Sequence, residues 1–112
     1  MGAAATAADA TWTPVVPTPN HPEYPAAHSC VSTSTAEILR GFFRTNQVSF
    51  KLDSTVSDTI VHSFTTTDEF VNEIQAARIH GGMHFRTATI HGAALGTKVA
   101  KLVTESYFRP RN

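Results

Sequence analysis

A single cysteine, no run of like charge and no long apolar stretch occur among the 112 residues, and each shortage removes a class of protein. Cys30 alone cannot close an internal disulfide, so the fold must rest on packing, and the thiol reads as structural. Nine basic residues balance nine acidic ones at zero formal net charge, which excludes the basic footprint of a nucleic-acid partner. No window approaches the roughly 20 apolar residues of a membrane span, so no integral membrane segment is expected and the chain reads as soluble. Met1-Gly2 with Thr6 fits a loose acylation pattern, yet lacks the basic patch that stable anchoring needs. Residues 1 to 10 also lack the charged start and longer apolar core of a secretory signal. The length allows one domain at most, short for an independent enzyme.

What is present concentrates in Arg78-Ile79-His80-Gly81-Gly82-Met83-His84. A permanent cation and an imidazole stand on either side of a double-glycine bend, where the backbone can turn sharply and let the two converge. The planar donors of Arg suit phosphate or vanadate oxygens, and His can attack, ligate or shuttle a proton near neutral pH. Upstream, Pro25-Ala26-Ala27-His28 leads into a helix whose free N–H groups favour an anion. His80 and His84 share the i, i+4 spacing of a metal pair; the glycines argue against a continuous helix there, and further ligands are not evident.

Five of the six prolines fall at positions 14, 17, 19, 22 and 25, so residues 12 to 25 should form a rigid irregular lead-in. A helix is expected from about His28 to Arg44, burying Val31, Thr35, Ile38, Leu39, Phe42 and Phe43. Val48 to Leu52 alternates as a strand does, and Thr59 to Phe64 is β-branched and aromatic, which predicts a short hairpin around Ser54 to Asp58, with a loop as the alternative. Thr66 and Glu69 form a capping-box pattern opening a second helix, with Phe70, Val71, Ile74 and Ala77 inward and a stop at Gly81 or Gly82. A third helix from about Thr87 to Tyr107 should bury Leu95, Val99, Leu102 and Val103, with Gly92 and Gly96 permitting close approach of a neighbour. The fold class is therefore an all-α, three-helix bundle fragment carrying a short β-hairpin between its first and second helices. Residues 1–11 read as a disordered lead, 12–108 as the domain and 109–112 as a tail.

Pro25-Ala26-Ala27-His28 followed by Ala77-Arg78-x5-His84-x3-Ala88 resembles the second and third motifs, Pro-Ser-Gly-His and Ser-Arg-x5-His-x3-Asp, of the vanadium-dependent haloperoxidase and type 2 phosphatidic acid phosphatase superfamily. The likeness runs from about Trp12 to Phe108 and covers the C-terminal part of the family's catalytic domain. It implies that His84 acts as nucleophile or as the axial ligand of vanadium. It also implies that Arg78 and the backbone N–H of Ala27 contact the oxyanion, and that His28 is the acid/base. Vanadate is the cofactor so implied, and an inorganic oxyanion, a phosphate ester, or halide with peroxide are the implied partners.

The departures are specific. No Lys or Arg precedes Arg40, so the family's first motif, Lys-x6-Arg-Pro, is absent from this chain. Ala26 stands where the motif has serine, and Ala88 where it has the acid that orients the nucleophilic histidine, which predicts weaker tautomer control at His84. Two readings follow: an impaired peroxidase (oxidoreductase) or phosphatase (hydrolase), or a catalytically inactive truncated member acting as an interaction module. A three-helix piece of a larger bundle should also leave apolar surface uncovered, to be met by self-association or by a missing N-terminal portion, or to leave the chain marginally stable.

Overall fold

The computed structural model describes residues 7–107; the expected tail 109–112 and the first part of the expected disordered lead 1–11 lie outside them. Helix α1 spans Ala27–Phe43, strands β1 and β2 span Phe50–Asp53 and Val61–Phe64, helix α2 spans Thr67–His80 and helix α3 spans Arg86–Ser106. Three helices with a hairpin between the first two is the architecture expected. The strands pair antiparallel, Phe50 opposite Phe64 and Asp53 opposite Val61, across a connection over residues 54–60.

Helix α2 starts where its sequence says it should. Thr66 accepts the Glu69 N–H at 3.1 Å, while the Glu69 carboxylate accepts the Thr66 N–H at 3.1 Å and the Thr65 N–H at 2.8 Å. Two of the donors that a helix start leaves over are thereby used. These bonds hold the Glu69 carboxyl below its ordinary pKa. Beneath this start, Phe50, Phe64 and Phe70 pack with centroids 5.2–5.5 Å apart against Ala36, Val71 and Ile74. Arg40 ties α1 to the same place, donating from Nε to Thr67 Oγ1 at 2.6 Å and pairing with Glu37 and Asp68.

The faces of α1 and α3 differ from expectation. The residues α1 buries are Ser29, Ser32, Thr33 and Ala36, whereas Val31 is 65% exposed and Phe42 79%. The residues α3 buries are Ala88, Thr89, Gly92, Gly96 and Ala100, whereas Leu95, Val99 and Leu102 face outward. The cause is backbone proximity. A methyl group on Gly92 would run into the Ala26 carbonyl, and one on Gly96 into the Cys30 carbonyl. With α1 and α3 this close only small side chains fit between them, so the large apolar residues occupy the opposite faces. There they have no neighbour among the described residues that would bury them, and Phe42 and Phe43 meet only edge to face.

Candidate oxyanion site

The site begins at the end of α2. Arg78 lies on its last turn, and the chain then hooks back: Met83 and His84 both donate their N–H to the Arg78 carbonyl, at 3.1 and 3.2 Å. Gly82 makes the hook possible with φ of 75°, and the Trp12 ring covers the side where a side chain would project. The hook brings His84 back beside Arg78. Arg78 is 9% exposed and His84 6%.

From the other side comes the proline-rich lead-in. His84 Nδ1 lies 2.5 Å from the Glu23 carbonyl oxygen. A carbonyl only accepts, so Nδ1 carries a proton, and in the neutral ring Nε2 keeps the free lone pair. His21 stacks on His84 with centroids 5.3 Å apart and planes 9° from parallel. Arg78 Nη2 donates to His21 Nε2 at 3.1 Å, and His21 Nδ1 donates to the Pro22 carbonyl at 3.0 Å. His28, the second residue of α1, is close enough to Arg78, His21 and His84 to feel their charges. Partial burial chiefly, then those three neighbours, hold its pKa below the ordinary 6.5.

Two buried side-chain atoms of this cluster, Arg78 Nε and His84 Nε2, have no hydrogen-bond partner among the described residues. Leaving a buried polar group unsatisfied costs about 1–3 kcal/mol, so a donor and a lone pair left over in one cluster fit a ligand that takes both. A tetrahedral oxyanion does: its oxygens accept from guanidinium, and its central atom accepts an imidazole lone pair. Burial also lowers the Arg78 pKa, although a guanidinium stays charged.

Of the residues singled out in the sequence, Arg78, His84 and His28 therefore gather in one locality, and Ala27 opens the helix beside them. Its N–H belongs to the first turn, where no intrahelical acceptor exists. His80 stays exposed on α2, and no group of three or more potential metal-holding side chains occurs among the described residues. His21 and Glu23 were not legible as site residues, because a segment between prolines has no periodicity from which to read direction. A cleft of about 550 Å³ adjoins the site through Glu23 and His84 and is otherwise lined by Trp12, Met83, Phe85 and Arg86 among others. Neither Arg78 nor His28 lines it, so the cleft borders the polar cluster without containing it.

The lowered pKa of His28 makes stability pH-dependent in a definite direction. Between its folded value and 6.5 the unfolded chain binds more protons, so the contribution is complete above 6.5 and is lost as pH falls through the folded value. The denaturation midpoint should drop between about pH 7.5 and about pH 5, and by less in His28→Gln. Chemical denaturation of both proteins at the two pH values measures it, and equal drops would contradict the assignment.

Residues 1–112 match the family description "VCPO second helical-bundle domain". The crystal structure of the first bacterial vanadium-dependent iodoperoxidase is similar at a TM-score of 0.75 and 32% identity over 84% of this chain. Those of the apo- and holo-type bacterial vanadium-dependent chloroperoxidase are similar at a TM-score of 0.70, with 23% and 20% identity over 84% and 85%. At these lower identities the likeness shows the fold. In each case this chain spans 23% of the other's length. No curated protein matches significantly.

Proposed function

We propose, from the premise that this chain belongs to the family of the VCPO second helical-bundle domain, that it carries the C-terminal part of a vanadate site of haloperoxidase type. The observation that carries this reading is that Arg78 and His84, drawn together by the hook after α2, each leave a buried side-chain atom, Nε and Nε2, without a partner among the described residues. His84 would hold the metal through Nε2, with Nδ1–H kept on the Glu23 carbonyl. Arg78 would donate to the oxyanion and neutralise its charge, where preorganised donors act most strongly. The N–H of Ala27 would add a backbone donor. His28, whose pKa is held below its ordinary value chiefly by burial and then by the Arg78 charge, would accept a proton there as general base. When bound there, vanadate would supply the Lewis-acid chemistry by which peroxide oxidises a halide.

The missing first motif and the methyl of Ala26, which is fully buried, set the expected strength. Losing one oxyanion donor can cost about 2.7–4 kcal/mol of catalysis, so turnover by this chain alone should lie several powers of ten below that of a complete site. Binding should survive in weak form, with Kd on the order of 1 mM or about 4 kcal/mol. Titrating the chain with vanadate under vanadium-51 NMR should give a bound resonance that phosphate displaces. An unchanged free-vanadate signal throughout would reject the reading. Bromide oxidation and hydrolysis of a phosphate monoester, run on the same sample, separate peroxidase from phosphatase chemistry, since both draw on the same residues.

The outward apolar faces of α1 and α3 favour a second reading, a non-catalytic family member that serves as an interaction module. It predicts neither reaction, and robust turnover by the purified chain would remove it.

A further inference from the structure

We infer that Glu23 is the positioning residue of His84 and does in this chain what an acid at position 88 does in the family motif. The inference rests on the reading of His84 as the residue that holds the oxyanion. Glu23 grips two consecutive residues at once. Its carbonyl takes the His84 Nδ1–H at 2.5 Å, and its carboxylate Oε1 takes the Phe85 N–H at 2.8 Å. Phe85 is the N-cap of α3 and has no side-chain group with which to cap it, so a carboxylate at that point is also favoured by the helix start. The same carboxylate oxygen lies 3.9 Å from His84 Nδ1. From there it stabilises positive charge that develops on the ring when Nε2 engages an electrophile.

The rest of the segment follows the same line. Tyr24 Oη meets His91 Nδ1 at 2.8 Å, and Ala26 donates its N–H to the Ala88 carbonyl at 3.1 Å. Ala88 is 1% exposed beneath this segment, so its surroundings are already filled where the motif would place a carboxylate. The acid has a different address, 61 residues before His84 instead of four after it, and reaches the ring by way of the backbone. The weak tautomer control expected from Ala88 is therefore not what the geometry supports. Nδ1 has a short bond to a carbonyl whose place is fixed by its own side chain.

The test uses the whole chain with nitrogen-15-labelled histidine at neutral pH. In wild type the neutral form of His84 should be a single tautomer, protonated at Nδ1. Glu23→Ala should give mixed tautomers and weaken vanadate binding by roughly tenfold or more. Glu23→Gln keeps an acceptor for the Phe85 N–H and should retain the wild-type tautomer, and it keeps the test decisive if the alanine variant does not fold. A folded Glu23→Ala that retains the single tautomer, or a Glu23→Gln that loses it, overturns the assignment. Tautomers that respond as expected in a chain that binds no vanadate uphold the positioning role and reject the functional reading instead.

Discussion

Vanadate binding is expected to fall below detection in His84→Ala, a loss of at least tenfold or about 1.4 kcal/mol. The expectation follows from what Nε2 lacks. It is buried and unpartnered, its tautomer leaves the lone pair free, and no other imidazole in the cluster is so placed. His21 spends Nε2 on Arg78, and His28 lies at the more open start of α1. The fold should persist, because among the described residues the His84 ring stacks on or hydrogen-bonds to the lead-in residues His21 and Glu23 alone. Far-UV circular dichroism unchanged alongside a vanished vanadium-51 resonance is the expected pair of results. A bound resonance of wild-type strength in the variant would mean that the anion sits elsewhere.

Gly96→Leu should destabilise the chain by about 3 kcal/mol, a large fraction of the stability of a domain this size. The first added carbon meets backbone atoms, the Cys30 carbonyl and, at 3.1 Å, the Ser34 nitrogen, which cannot swing aside as a side-chain tip would. Ser34 Oγ, shared between the Cys30 and Gly96 carbonyls at 2.9 and 3.1 Å, would be displaced with them. Gly96→Ala gives the sign. Helix propensity alone favours alanine by about 1 kcal/mol, whereas the contact with α1 disfavours it. Thermal denaturation should show the alanine variant less stable than wild type, and a rise in midpoint would mean that α1 and α3 do not pack through this glycine.

The parts of the fold legible in the sequence are those specified locally. The capping box at Thr66 and Glu69, the glycine hook after Arg78 and the paired strands each need only neighbouring residues, and each lies where expected. The small-residue pair Gly92 and Gly96 likewise marked a close helix approach. The inward faces of α1 and α3 were not legible, because an apolar stripe indicates that a face is to be covered without saying by what. Here the stripe of Val31, Phe42, Leu95 and Leu102 faces away from this chain's own helices, and the face of small residues is the one in contact. At the site, the meeting of Arg78 and His84 could be foreseen from the bend between them. The parts played by His21 and Glu23 could not, since they depend on how a proline-bound strip lies against a distant helix.

That strip also dictates an order of events. The bond between Glu23 and His84 spans 61 residues, and closing a flexible loop of that length carries a length-dependent entropy of roughly 3–4 kcal/mol. Hairpin and helices, made from near neighbours, can form before that closure is achieved. The imidazole lone pair is thus aimed only once the same long-range closure that joins α1 to α3 has been made, and loosening the N-terminal strip from that interface removes the aim.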